Sequence, residues 1–276
     1  MVRFDEMKIW IGAVFLLLIG ILVGSLLSTP RMRGQAPATM VARTSDGKPD
    51  LNGVWQALTT ASWDVLDHNA EEGVPGGQGI VEGNEIPYQP WAAAKRKEHY
   101  AKRMSLDPLN KCYLPGVPRI TYMPFPFEIT QTAGMILVAY EFAHATRQIY
   151  TDGSTHPEGL IDFWMGDSRG RWEHDTLVVD VSNVNDQTWF DRVGDFHSDA
   201  LHVVERYTPL GPAHITYEVT IEDPKVFTRP WTMSTVLYRR LEKHVQLVPY
   251  ECLEYQEPFL RWDEPPAPGM AGPPRK

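Results

Sequence analysis

The chain has 276 residues, and 43% of them are hydrophobic, with nine Trp and eleven Tyr available for a core. This length allows one large domain or two small ones. The formal net charge is −9, without a run of basic residues, which argues against a nucleic-acid partner because neutralising phosphates needs a positive face.

The first predicted element is a transmembrane helix over Ile9–Leu27, an unbroken run of apolar, Gly and Ser residues. At about 1.5 Å rise per residue, the run nearly spans a hydrocarbon core of roughly 30 Å. A cleaved signal peptide usually has an apolar core of only about 7–15 residues. We therefore expect residues 1–8 in the cytoplasm, an uncleaved signal-anchor at 9–27 and the membrane as a partner; cleavage is the alternative. Basic residues flank both ends of the run, so their count does not fix the orientation.

Residues 28–49 are rich in Pro, Gly, Ser and Arg, and this composition predicts a linker. Residues 50–126 are predicted to form a helical and proline-rich segment. Within it, residues 90–104 are the one good soluble helix, because Pro90 suits a first turn and alanines follow it. Five prolines between 107 and 126 exclude a regular helix or a central strand there.

Residues 127–256 change to short apolar runs separated by turn signals, and we predict a β domain there. The clearest strand is Ile215–Glu222, where apolar and polar residues alternate. The other predicted strands are 128–131, 135–144, 147–151, 171–172, 176–181, 201–207, 232–240 and 246–255. Their lengths and short connections favour an antiparallel barrel or a curled sheet. Residues 257–276 are expected to be a disordered tail.

The two cysteines, Cys112 and Cys252, lie near opposite ends of the folded region. Bridged, they would close a loop that contributes roughly 5 kcal/mol in the chain-entropy model, and the bridge would need an oxidising compartment. Two unpaired buried thiols are the alternative, and spacing alone does not choose between them.

Several segments resemble a large bacterial family of exported proteins for which no activity is established. They are PDLNGVW (49–55), PWAAAK (90–95), CYLPGVPR (112–119), PFPFEITQT (124–132), IYTDG with HP (149–157), WMGDSRGRWEHDTLVVD (164–180), NDQTWFDRVGDFHSDALHVVERY (185–207) and EDPKVFTRPW (222–231). The resemblance implies an exported mature domain, hence an inner-membrane protein with a single span and a periplasmic domain. Typical members have glycine where this chain has His174. The strand series is also similar to that of lipocalin-like (calycin) barrels, which bears on fold more than on function.

The region from Trp164 to Tyr207 concentrates polar and aromatic residues between strand-like runs and is the predicted site. A histidine beside a carboxylate can act as a general base near neutral pH. We propose His197 or His156 as the base, with Asp199 or Asp186 orienting it. Surface His–Asp ion pairs are the plainer interpretation. His197, His202 and Asp199, with His156 as a further ligand, could bind a metal, but their spacing matches no established zinc motif, so we predict no metal.

A second group of residues could line a binding pocket at the barrel mouth. This group comprises His202, Arg206, Arg169, Trp172, Trp189, Trp231, Tyr140 and His144. An arginine stacked on a tryptophan can instead close the base of a barrel, as is common in lipocalin-like folds, and an aromatic stripe can simply be core.

Three functions are consistent with these patterns. The first is binding of a small, partly apolar molecule in the barrel mouth. The second is metal-independent acid–base catalysis (a hydrolase, hydratase or isomerase) at the same pocket. The third is a scaffold that docks another envelope protein. The sequence contains neither a Rossmann glycine fingerprint nor a P-loop, and we expect no cofactor.

Overall fold

The computed structural model describes residues 41–159, 161–248 and 250–252. Nine strands in this part of the chain close into a barrel in sequence order, and the last strand pairs with the first. The strands are β1 (Gly53–Ala57), β2 (Phe127–Thr132), β3 (Met135–Tyr140), β4 (Thr146–Tyr150), β5 (Asp167–Glu173), β6 (Thr176–Ser182), β7 (His202–Pro209), β8 (His214–Glu222) and β9 (Trp231–Arg239). The prediction of a mainly β, barrel-type domain is confirmed.

One neighbouring pair of strands departs from the expected antiparallel arrangement. β4 and β5 run parallel and share only two residue pairs, Ile149 with Ser168 and Tyr150 with Arg169. The 16-residue connection (151–166) crosses from one end of the barrel to the other, which a parallel pair requires.

The helices are few and lie between β1 and β2. They are α1 (Pro90–Ala101), α2 (Arg103–Leu106) and α3 (Arg119–Tyr122), with 3₁₀ turns at Glu82–Asn84 and Pro108–Lys111. The predicted soluble helix corresponds to α1 and α2 together. No helix among the described residues is long and apolar enough to cross a membrane. The segments expected at 1–8, 9–27 and 257–276, and most of the expected linker, lie outside those residues.

Alternation along the strands divides each into an inner and an outer face. On β7 the inward side chains Val203, Glu205 and Tyr207 are buried, whereas the outward positions between them are only partly covered. Register carries this alternation around the barrel, because Val203 pairs with Val181 of β6 and with Ile221 of β8.

A buried ion pair occupies the centre of the barrel. The guanidinium of Arg147 (β4) donates to both carboxylate oxygens of Glu205 (β7), and its Nε donates to Ser168 Oγ at 2.9 Å. The hydroxyls of Tyr207 and Tyr217 donate to Glu205 Oε1 at 3.1 and 2.6 Å. Because a buried charge needs this many partners, the centre is a filled polar core rather than an open channel.

Several strand predictions differ from the structure, among them 171–172, which is part of the longer β5 (Asp167–Glu173). β1 was placed in the helical and proline-rich segment, but it completes the barrel by pairing with both β2 and β9. In the described part of 246–255 there is no strand, only a bridge between Tyr250 and Phe142. β3 ends at Tyr140 rather than at His144, because Ala143 and His144 both have φ near +51°, outside strand geometry.

Cys112 and Cys252 form a disulfide, with Cα atoms 5.6 Å apart and 140 residues of separation. Of the two alternatives that the sequence left open, a disulfide and two unpaired thiols, the structure contains the disulfide. The bond ties the segment before β2 to the segment after β9.

Candidate functional site

A cavity of about 520 Å³ lies at one end of the barrel, where the β2–β3 and β5–β6 hairpins turn. We call it the barrel-end cavity. Its apolar part is Ile136 of β3 and Trp172 of β5, both on inward positions of their strands. Its remaining lining is mostly polar and comprises Thr44, Ser45, Asp46, Lys48, Asp50, Asn52, Gln131, Thr132, Ala133, Gly134 and Thr151. The volume falls within the roughly 300–1,000 Å³ typical of small-molecule pockets.

The segment 43–52 forms one wall of this cavity and is fixed by hydrogen bonds. Gln131 connects it to β2, because its Oε1 accepts from Leu51 N at 2.5 Å, its Nε2 donates to Pro49 O at 3.1 Å, and its backbone N–H donates to Asn52 Oδ1 at 2.6 Å. At the other end, Arg43 forms a two-point ion pair with Asp175 in the β5–β6 turn.

The Arg–Trp contact of this barrel involves a pair that the sequence did not suggest. Arg239 at the end of β9 lies 4.4 Å from the ring centroid of Trp55 on β1 and donates to the carbonyls of Asn52 and Asp50. Burial lowers the pKa of Arg239, and nearby Asp50 opposes that shift only in part. The contact therefore fixes the PDLNGVW segment onto the barrel beside the cavity.

A chain of hydrogen bonds between histidines and acids lies on the outer face of the barrel. His156, in the loop after β4, has Nδ1 at 2.6 Å from Asp167 Oδ1 and Nε2 at 2.9 Å from Asp180 Oδ1. His202, at the start of β7, has Nε2 at 3.1 Å from the same Asp180 oxygen and Nδ1 at 3.2 Å from Glu222 Oε2. We call these five side chains the histidine–carboxylate chain.

Strand register explains why these groups meet. Asp180 of β6 alternates with buried Val179 and Val181 and therefore faces outward. His202 pairs directly with Glu222 of β8 across the ladder. Burial tends to lower the pKa of His202, but the hydrogen bonds to Asp180 and Glu222 outweigh it and raise that pKa. Asp180 shows the reverse, since the hydrogen bonds from both histidines outweigh burial and lower its pKa.

Asp167 links this chain to a second, smaller cavity. A cleft of about 390 Å³ lies where β4 and β5 diverge, and Asp167, Ser168 and Arg147 are among its lining residues. Arg169 holds Asp167 from the outside through Nε and Nη2 at 2.6 and 2.8 Å, and its guanidinium lies over the ring of Tyr150.

The other proposed catalytic residues lie elsewhere. His197 is buried, and burial lowers its pKa. Its ring nitrogens are occupied by the Thr188 hydroxyl at 2.7 Å and the Ser198 carbonyl at 2.9 Å rather than by a carboxylate. Asp199 is exposed and pairs with Lys225, and Asp186 is exposed on the loop before Trp189.

Of the proposed ligand-binding residues, only Trp172 lines the barrel-end cavity. Trp189 is buried and stacks on His99, Trp231 meets Phe190 and Phe227 edge-on, and Tyr140 packs on Phe127 in the core. Arg206 pairs with Glu173 outside the barrel, and exposed His144 pairs with Glu251.

The end of the barrel opposite the cavity contains a cluster of acids. Carboxylate oxygens of Asp64, Asp191 and Asp195 all lie within 4.8 Å of one another. Asp191 accepts three backbone N–H groups, and Asp195 accepts from Tyr88 and Arg96. Burial, and next the charge of Asp195, raise the pKa of Asp191, while burial raises that of Asp64 to about 6. These hydrogen bonds connect the loops that cover this end of the barrel.

The acids of the histidine–carboxylate chain could not be assigned from sequence, because they lie 11 to 24 residues away from the histidines that they contact. One signal was present: Asp180 interrupts the apolar run TLVVDV, where an outward strand position in a polar environment is expected. No protein-family model matches the chain, and no curated protein matches it in sequence.

Proposed function

We propose that this chain is a lipocalin-like binding protein that takes up a small, partly apolar molecule in the barrel-end cavity. The observation that carries the proposal is the pairing of an aromatic and aliphatic floor, Trp172 and Ile136, with a polar rim in a cavity of about 520 Å³. Pockets of this kind use apolar surface for affinity and a few polar groups for orientation.

We further propose that a membrane anchor at 9–27 holds the barrel on the periplasmic side of the inner membrane. The disulfide between Cys112 and Cys252 supports this, because disulfides persist in oxidising compartments. The resemblance to exported proteins supports the same location.

Binding is tested with the purified full-length chain in mild detergent and an anilinonaphthalene dye as the apolar probe. Compounds extracted from the bacterial envelope then compete for the bound dye. We expect saturable, single-site binding that Trp172→Ala weakens about tenfold or more, since a buried aromatic anchor often contributes 2 kcal/mol or more. Trp91→Ala is the matched control, because Trp91 is 52% exposed on α1 and lines no part of the cavity. Equal binding by both variants and the unaltered chain would exclude this site.

Acid–base catalysis is a second candidate, favoured by one observation. His156 contacts Asp167, and Asp167 lines the cleft between β4 and β5. A substrate in that cleft would contact Asp167, and His156 would act on it through this carboxylate. If envelope compounds are turned over, His156→Gln should abolish turnover and His144→Gln should not; equal activity in both variants excludes His156 as the base.

A further inference from the structure

A further cavity lies in the wall of the barrel and belongs to neither candidate function. It has a volume of about 730 Å³ and lies between β1 and β9, and we call it the seam cavity. Its lining comes from the end of β1 and the segment after it, from residues 77–80, from Pro124, and from Ser234 and Thr235 of β9. It shares no residue with the barrel-end cavity or with the cleft between β4 and β5.

The seam cavity exists because β1 is shorter than β9. β1 pairs with β9 only from Leu237 onward. Nearer the start of β9, residues 80–81 take the place of β1 through a bridge and a hydrogen bond of 2.8 Å from Ser234 N. The wall of the barrel is therefore open between these two attachments, where Thr235 lies.

Trp63 forms one wall of the seam cavity, and its backbone is held by three hydrogen bonds. Its N–H donates to Thr60 O at 2.9 Å, and its carbonyl accepts from the N–H groups of Arg192 and Val193 at 3.0 and 3.2 Å. The residue is only partly buried and lines the cavity. A tryptophan fixed in this way offers a preformed apolar face, which lowers the entropic cost of binding.

The segment 77–80 forms another wall and is also fixed. Gly77 exchanges two backbone hydrogen bonds with His68, at 3.0 and 3.1 Å. The two walls meet at Gly77, where an added Cβ would lie 1.8 Å from Thr60 Oγ1. Both walls are therefore in place before a ligand arrives.

The lining carries hydroxyl and amide groups instead of charges. None of the described residues that line the cavity is charged. Six of the lining side chains are polar and uncharged: Gln56, Thr59, Thr60, Gln78, Ser234 and Thr235. Within the part of the chain that the structure describes, the side chains of Gln78, Ser234 and Thr235 have no hydrogen-bond partner. Each of these three groups can both donate and accept.

We propose that the seam cavity binds a neutral carbohydrate of one or two sugar rings, with one ring stacked on Trp63. Sugar hydroxyls donate and accept, as do the free side chains of Gln78, Ser234 and Thr235. The C–H face of a sugar ring is apolar and matches the face of the indole. The volume of about 730 Å³ lies within the roughly 300–1,000 Å³ typical of small-molecule pockets.

The same lining disfavours other classes of ligand. An ion would lose its hydration without gaining a counter-charge. A wholly apolar molecule would displace water from the hydroxyl and amide groups and leave them unpaired, which is unfavourable for each group that it covers. The ligand differs in class and position from that of the barrel-end cavity, so either proposal can fail while the other stands.

The test is a glycan array probed with the labelled full-length chain in a detergent without a sugar head group, followed by isothermal titration with the best-bound glycan. We expect saturable binding of a neutral glycan at one site per chain. Replacing the bound sugar by its uronic acid should weaken binding about fivefold or more, because the carboxylate finds no counter-charge in the cavity.

Two variants locate the site. Trp63→Ala should weaken binding about tenfold or more, because it removes the aromatic platform. Ser234→Ala should weaken it about two- to tenfold, because it removes one hydrogen bond. Trp91→Ala is the matched control, since Trp91 is 52% exposed and lines no part of the seam cavity.

Near-UV circular dichroism shows whether each variant is folded. Ser234 is a partly buried strand position, so Ser234→Ala keeps the test decisive if Trp63→Ala does not fold. The proposal fails if no neutral glycan binds, if the uronic acid binds as tightly as the neutral sugar, or if the folded variants bind as tightly as Trp91→Ala does.

Discussion

At the scale of single residues, the Arg147–Glu205 pair sets the character of the barrel interior. Both side chains are almost fully buried, at 2% and 0% exposure. Burial opposes the charge of Arg147, and the carboxylate of Glu205 more than compensates, so the pKa of Arg147 is raised. The pair is stable only as a unit, because either charge alone would be desolvated without a partner.

Glu205→Gln should therefore lower the free energy of unfolding by about 3–5 kcal/mol, since it leaves the guanidinium buried without its counter-charge. Urea unfolding followed by circular dichroism measures this. Replacing both partners, with Arg147→Met and Glu205→Leu, should cost less than the single change. Glu173→Gln at an exposed pair is the control, with an expected cost below about 1 kcal/mol. A cost of that size for Glu205→Gln as well would mean that the centre is hydrated.

The histidine–carboxylate chain predicts a dependence of stability on pH. The raised pKa of His202 gives a stabilisation that is complete below its ordinary value of 6.5 and is lost as the pH rises through the folded-state value. The lowered pKa of Asp180 acts in the opposite direction, since its contribution is present above 3.8 and is lost as the pH falls. The contribution of the pair is therefore largest between about pH 4 and 6.5.

Unfolding curves of the protein from pH 4 to 9 test this window. The unaltered chain should lose stability relative to His202→Gln as the pH rises above 6.5. His214→Gln is the control, because His214 is exposed and its aromatic neighbour is Tyr238 rather than an acid. A constant difference between the unaltered chain and His202→Gln across this range would show that His202 does not gain a proton on folding.

At the scale of elements, alternation was the reliable signal. β8 was predicted to within a residue because its inward side chains, Ile215, Tyr217, Val219 and Ile221, alternate with polar ones. β1 was missed because the five residues GVWQA are too short to show a period. Its strand conformation comes from pairing with β2 and β9, which lie more than 70 residues away in sequence. Such long-range pairing leaves no local pattern to detect.

The candidate sites were harder to predict than the strands, because they also depend on long-range pairing. Trp172 could be placed on a strand from sequence, but the wall facing it depends on Gln131 reaching residues 49–52. Similarly, His202 and His156 were singled out, while Asp180 and Glu222 meet His202 through the register of β6 and β8 with β7. Residue types can thus nominate members of a site, but register and closure determine which of them meet.

The turn between β5 and β6 contains a non-glycine residue in the left-handed conformation. His174 adopts φ +55° in the two-residue turn between β5 and β6. This conformation is uncommon for residues with a side chain. The neighbouring Asp175 anchors Arg43 of the cavity wall, which ties the geometry of this turn to the barrel-end cavity.

At the scale of the whole molecule, one covalent bond encloses most of the barrel. The disulfide joins Cys112, which precedes β2, to Cys252, which follows β9. Eight of the nine strands therefore fall within the loop that it closes. Such a bond restricts the unfolded chain more than the folded one. Of the described helices, α1 and α2 precede Cys112 and lie outside this loop, whereas α3 lies inside it.

Reduction should therefore destabilise the protein through the unfolded state. We expect Cys112→Ser with Cys252→Ser to lower the free energy of unfolding by about 2–5 kcal/mol, given the 140-residue separation. Urea unfolding with and without dithiothreitol measures it, and the reductant should change only the unaltered chain. The doubly substituted chain is the internal control, because its stability must match that of the reduced protein if the bond is the sole cause. If dithiothreitol leaves the unaltered chain unchanged, the two sulfurs are not bridged in the purified protein, and the support for an oxidising compartment is lost with them.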